Sequence, residues 1–123
     1  MKENILFFNY DLETDILFFY NEKNKYEFSE FLTNKIVLDL NKNNEAIGLE
    51  ITDASNLFKV KKELLTKIKV GYMEIAIDEE NIKLEVLLIL KTNKESLLKP
   101  INIRSNNELH IPNLETEVAI TSI

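Results

Sequence analysis

The sequence predicts an α+β fold in which antiparallel β-structure predominates: two β-hairpin units, with one helix at about residues 55–68 packed on the sheet. Three observations point there. Apolar and polar residues alternate over most of the chain, as they do in strands with one buried face. Polar turns rich in Asn, Asp and Glu separate these runs. A single stretch changes to spacings of three and four, with Leu57, Val60, Leu64 and Ile68 on one stripe and Phe58 and Leu65 widening it.

In chain order, Ile5 to Tyr10 and Asp15 to Tyr20 read as a hairpin whose turn is Asp11-Leu12-Glu13-Thr14. Asp11 is suited to accept hydrogen bonds from the turn backbone. Leu6, Phe8 and Tyr10 share one face and Ile5 and Phe7 the other; in the second strand Ile16, Phe18 and Tyr20 oppose Leu17 and Phe19. Both faces are apolar, so the hairpin is expected to be covered twice, by the helix and by a second layer or a partner subunit. Residues 21–34 weaken into a polar connection holding a short or edge strand around Phe28 and Phe31.

A cleaner hairpin follows, 36–40 and 46–51 around the turn 41–45, with Ile36, Leu38, Leu40, Ile47, Leu49 and Ile51 facing in and Asp39, Gly48 and Glu50 facing away. Gly48 in mid-strand marks a bulge or the close approach of another group. Asp53 or Ser55 then caps the helix. After Gly71, Met73, Ile75 and Ile77 alternate against Tyr72, Glu74 and Ala76, and a turn at 78–81 leads to Ile82, Leu84, Val86, Leu88 and Leu90. A polar connection from Lys91 to Lys99 precedes strands at 100–104, 108–111 and 114–120. The whole chain, 1–123, is expected to form a single domain with a weak internal duplication of 1–68 and 69–123, in which Lys35 to Leu40 matches Lys99 to Arg104.

Composition narrows the function classes. A net charge of −6 repels a polyanion, so nucleic acid is not an expected partner. The lysines between 59 and 69 read as the solvated face of the helix. No cysteine is present, which excludes disulfides, thiolate metal sites and a cysteine nucleophile and suits a reducing cytoplasm. The apolar runs at the N-terminus and at 86–90 are too short for a signal-peptide core or a membrane span, so a cytoplasmic protein with no membrane association is expected.

The run Tyr10-Asp11, Asp15-Ile16-Leu17-Phe18, Ile36-Val37-Leu38-Asp39-Leu40 and Ile47-Gly48-Leu49-Glu50-Ile51-Thr52-Asp53-Ala54-Ser55 resembles the small prokaryotic family named domain of unknown function 2283. The resemblance spans Tyr10 to Phe58 and leaves a β-rich C-terminal extension outside it. Phe18 stands where the family commonly has Tyr, and Asn34-Lys35 where it often has Asp-Gly. The resemblance implies a β-sheet followed by a helix. It also implies an antitoxin-like, partner-neutralising role, since some relatives are thought to be encoded beside small toxin-like proteins.

Among candidate sites, the acidic set Asp11, Glu13, Asp15, Asp39, Glu50 and Asp53 has the chemistry to hold a divalent cation or a small molecule, but Asp11 and Asp53 also suit turn and cap duties and Asp39 and Glu50 an outward sheet face. His110 is expected on the exposed face of a strand, and neither Ser29 nor Ser55 sits in a nucleophile elbow. No catalytic residue, cofactor or metal site is therefore assigned. The expected interaction surface is the aromatic set Phe8, Tyr10, Phe18 and Tyr20. The reading is a non-enzymatic module that forms a homodimer or binds a small protein; the alternative is a small-molecule or divalent-metal binder using the acidic turn cluster.

Overall fold

A computed structural model of the chain describes residues 5–21, 28–43, 45–108 and 110–121. They form one nine-stranded mixed sheet. The strands are β1 (Ile5–Asp11), β2 (Ile16–Tyr20), β3 (Phe28–Thr33), β4 (Ile36–Leu40), β5 (Ala46–Thr52), β6 (Ile68–Ile77), β7 (Asn81–Lys91), β8 (Ser96–Asn106) and β9 (Leu114–Thr121). Across the sheet the order is β3-β4-β5-β2-β1-β9-β6-β7-β8, and its two edge strands, β3 and β8, come back into contact, so the sheet is nearly closed.

This corrects the expected architecture in three ways. The hairpins are not separate units under a helix, because the last strand, β9, inserts between β1 and β6 and joins both halves into one sheet. The sheet is not wholly antiparallel either: β1 and β9 run parallel, with Leu6 opposite Ile120. The single helix at about 55–68 is replaced by two short ones, α1 (Ala54–Phe58) and α2 (Lys62–Leu65). Lys59 adopts left-handed backbone (φ 57°), which ends α1, and Lys61 is extended before α2. Of the predicted stripe only Ile68 is buried, and it opens β6; Leu57, Val60 and Leu64 are half-buried against the core, and the flanking Phe58 and Leu65 are the residues that point inside. A short apolar run fits a helix or a strand equally well.

The alternation elsewhere decides the core. Leu17, Phe19, Leu38, Leu49, Ile51, Met73, Ile75, Leu84, Val86 and Leu88 fill the inside of the curved sheet, and α1 and α2 add Ala54, Phe58 and Leu65. One contiguous core thus serves both halves, and a closed sheet leaves little unpaired edge. The strand expected at 108–111 is absent among its described residues. Here the buried side chain of Asn107 ties the turn together: its amide donates to the carbonyls of Asp78 (2.9 Å) and Ile111 (2.8 Å), and its oxygen accepts from Ile111 N–H (2.9 Å). His110, exposed, lies in that turn with φ 54° and not in a strand.

Glu30 of β3 lies opposite the inward-facing Leu38 and is half-buried; burial first, and the nearby charge of Glu108 second, raise its carboxyl above the ordinary value. The folded chain therefore holds this proton to higher pH than the unfolded chain does, so stability falls as pH rises through that window. Glu30→Gln is expected to raise stability at pH ~7 by up to ~1 kcal/mol and to do nothing below pH ~4. Urea titrations at both pH values check this; an equal effect at both would assign the gain to something other than ionisation.

Candidate functional site

Where β1 and β2 meet the start of α1, a buried polar network forms. Asp15 sits at the end of the β1–β2 turn in left-handed backbone (φ 58°), and this turns its side chain inward, leaving it 6% exposed. Its carboxylate accepts hydrogen bonds from the Tyr10 hydroxyl (2.6 Å), the Ser55 hydroxyl (2.6 Å) and the Ser55 backbone N–H (3.1 Å). Its carbonyl also accepts from Ala54 N–H (3.1 Å). Asp15 thus caps α1 from 40 residues away. Burial, together with the hydrogen bond to Asp15 and its charge, holds the Tyr10 hydroxyl protonated well above its usual range.

Although it groups Tyr, Asp and Ser, this network lacks the geometry for nucleophilic catalysis. Ser55 Oγ donates its proton to a carboxylate already occupied by two other donors, and Ser55 is only 8% exposed. Its role is to join turn, strand and helix.

The remaining acids are scattered. Asp11 accepts from the Glu13 N–H (3.0 Å), and the Thr14 side chain, ahead of the turn amides, holds its carboxyl below the usual range. Asp53, in left-handed backbone, pairs with Lys35 and accepts from Asn56 (2.9 Å); chiefly through Lys35, its carboxyl too is lowered. Among the described residues no group of three or more acids or histidines is placed to hold a metal ion.

The aromatic set is divided by the sheet. Phe8 lies opposite Phe19 and Tyr10 opposite Leu17, both against the core, whereas Phe18 and Tyr20 lie opposite Asn9 and Phe7 on the outer face. The four residues expected to form one surface therefore do not share one. Phe18 and Tyr20 instead meet two of the acids. On the outer face of β2, β5 and β4, Tyr20, Gly48 and Asp39 stand in one cross-strand row, and Phe18, Glu50 and Val37 in the next. All of these but Val37 border an open depression of about 520 Å³.

Gly48 forms its floor. A Cβ there would stand 3.1 Å from Asp39 Oδ2 and 3.2 Å from the Phe19 carbonyl, so glycine lets β4 and β2 close over this point. Asp39 accepts a hydrogen bond from the Ser29 hydroxyl (2.6 Å), and no cation among the described residues pairs with Asp39 or Glu50. Tyr20 packs on Phe7 with ring centroids 6.1 Å apart and planes tilted by 48°. The depression thus combines aromatic walls with two carboxylates that no cation among the described residues neutralises.

Fold and site define a small β protein, a single nearly closed mixed sheet with an aromatic and acidic depression on its outer surface. The chain belongs to the family described as "Protein of unknown function (DUF2283)", whose model matches residues 8–55. That span contains the whole Tyr10–Asp15–Ser55 network and every residue lining the depression. The chain is 33% identical over 105 residues to a Methanosarcina mazei protein named "Putative hypoxanthine phosphoribosyltransferase", with 85% of each chain covered. It is 31% identical over 113 residues to an uncharacterized protein of Methanocaldococcus jannaschii, covering 91% of this chain and 95% of the relative. No solved structure matches it. No helix among the described residues is long and apolar enough to cross a membrane.

Proposed function

We propose that this chain is a non-enzymatic protein-interaction module of the cytoplasm that receives a lysine or arginine side chain of a partner protein in the Gly48 depression. The observation that carries this is the pairing of two carboxylates, Asp39 and Glu50, which no cation among the described residues neutralises, with the rings of Phe18 and Tyr20 around a glycine floor. Carboxylates attract an ammonium or guanidinium group, and ring faces add cation–π attraction while covering its aliphatic stem. The volume lies within the ~300–1,000 Å³ of ligand clefts. An antitoxin-like role would be one form of such binding.

Phosphoribosyl transfer, which the name of the Methanosarcina relative suggests, finds less support in this chain. Both of its glycines, Gly48 and Gly71, lie inside strands, so neither opens a turn whose amides would cradle a phosphate.

Calorimetric titration with short peptides that carry Arg or Lys is the direct test. Asp39→Asn with Glu50→Gln is expected to weaken binding about tenfold, two charge contacts at roughly 0.7 kcal/mol each, and added salt should weaken the wild type in the same direction. Gly48→Val, which fills the floor, should also reduce it. Equal affinity for uncharged peptides, or turnover of hypoxanthine with a phosphoribosyl donor, would overturn the reading.

A further inference from the structure

A second surface, on the outer face of β9, β6, β7 and β8, is ordered in rows by the strand register. One row is Ala119, Tyr72, Leu87 and Pro100, and the next is Val70, Ile89 and Leu98. Tyr72 is 57% and Leu98 61% exposed, so these two rows form a contiguous apolar band on the outside of the sheet. Such bands mark interaction surfaces.

The flanks of the band carry opposite charge. On one side Glu117, Glu74 and Glu85 stand directly opposite one another across three strands. Like charges in that position repel, and no lysine or arginine among the described residues lies within ion-pair distance of them. On the other side lie the exposed Lys91, at the end of β7, and Lys69, at the β6 bulge between Ile68 and Val70.

We infer that this face binds a second copy of the chain about a two-fold axis that lies in the interface and runs across the strands, between the two apolar rows. That rotation reverses strand direction while leaving each strand over its own counterpart. Tyr72 and Leu87 then stack on Val70 and Ile89 of the partner subunit, while Glu85 meets Lys91 of the partner subunit and Glu74 meets Lys69 of the partner subunit. The surface is self-complementary, as an isologous contact requires. The partner's cations also relieve the repulsion within the glutamate row.

Four strands ~4.8 Å apart and four rows ~6.8 Å apart cover about 500 Å² per subunit, below the ~800 Å² of a standard interface. The dimer is accordingly a weak one. It leaves the Gly48 depression free and does not depend on the function proposed for it.

Sedimentation equilibrium of the full chain from ~20 to ~500 μM at low salt reads this out. The mass is expected to rise from 14.4 kDa toward twice that value. Lys69→Glu with Lys91→Glu, and separately Glu74→Lys with Glu85→Lys, should each raise the dissociation constant at least tenfold, because each places like charge over like. Mixing the two double variants should restore association, since the glutamates at 69, 74, 85 and 91 of one variant then meet lysines at the facing positions of the other. Circular dichroism checks that these exposed substitutions leave the fold intact. A wild type that stays at monomer mass throughout, a dimer that neither double variant weakens, or a mixture that does not reassociate would each overturn the inference.

Discussion

Asp15→Ala is expected to cost about 3–5 kcal/mol of stability, a large share of the ~5–15 kcal/mol available to a small domain. Three donors converge on this buried carboxylate, from Tyr10 and twice from Ser55. Removing it strands the Ser55 hydroxyl and a helix-start N–H away from water, leaves the half-buried Tyr10 hydroxyl without its acceptor, and puts alanine at φ 58°, where its Cβ is strained. Asp15→Asn tolerates that backbone but turns an acceptor oxygen into a donor group facing donors, so about half the loss is expected. Tyr10→Phe and Ser55→Ala should cost less than Asp15→Ala and should fail to add in a double-mutant cycle, because they share one acceptor. Urea midpoints measure all four. An Asp15→Ala loss below ~1 kcal/mol would show that the turn and helix are held without the network.

The same network sets an alkaline limit. The folded chain keeps the Tyr10 proton above the ordinary value of 10.0, so the unfolded chain releases it first. Stability linked to this hydroxyl is complete below that pH and is lost as pH rises toward the higher folded value. Tyr10→Phe should remove that slope.

Much of the sheet was legible in the sequence because its period of two is enforced by burial. Leu17 and Phe19 of β2, and Ile82 through Leu90 of β7, point where alternation put them. Alternation states which face a residue is on, but not which strand lies beside it. Nothing in Leu114 to Thr121 declares that it pairs in parallel with β1, so two units were expected where one sheet forms. The division of the aromatics follows from the same limit: Phe8 and Phe18 look alike in sequence, and only the register of β1 on β2, which sets Phe8 against Phe19, puts them on opposite faces. Asp53 or Ser55 was read as the helix cap; Asp53 takes the N-cap position, without a side-chain bond to the helix start, and Ser55 is the residue that Asp15 holds from a distant turn. The signal was present in the joint occurrence of Tyr10, Asp15 and Asp53-Ala54-Ser55 in the run that carries the family resemblance. Gly48 was read as marking a bulge or a close approach: the register of β4 on β5 shifts beside it, between Asp39 and Leu40, and the strands approach closely there, with the depression as the consequence.

Gly71 carries the second large prediction, and contrast with Gly48 gives it force. Gly71 lies in β6 beside the irregularity between Ile68 and Val70, where the chain is pressed between β7 and β9. A Cβ there would stand 2.8 Å from the Leu87 carbonyl oxygen, 3.2 Å from Leu88 Cδ2 and 3.5 Å from Ile120 Cβ. The closest of these is backbone held in a sheet ladder and cannot rotate aside as a side chain does, so β6 and β7 must separate. At Gly48 the nearest atom is a carboxylate oxygen of a partly exposed side chain, which can swing away, although the Phe19 carbonyl stands close behind it. Gly71→Ala is therefore expected to cost about 2–3 kcal/mol, the upper part of the range for overpacked cores, and to lower the melting temperature by roughly 10 °C; Gly48→Ala should cost less than half of that. The strand separation has its own signature: amide exchange should speed up along the β6–β7 ladder around Met73 and Val86 in the Gly71 variant and stay unchanged in β4 and β5. Equal losses for the two glycines, or exchange raised evenly over the sheet, would mean that the close backbone approach at Gly71 is not what restricts that position.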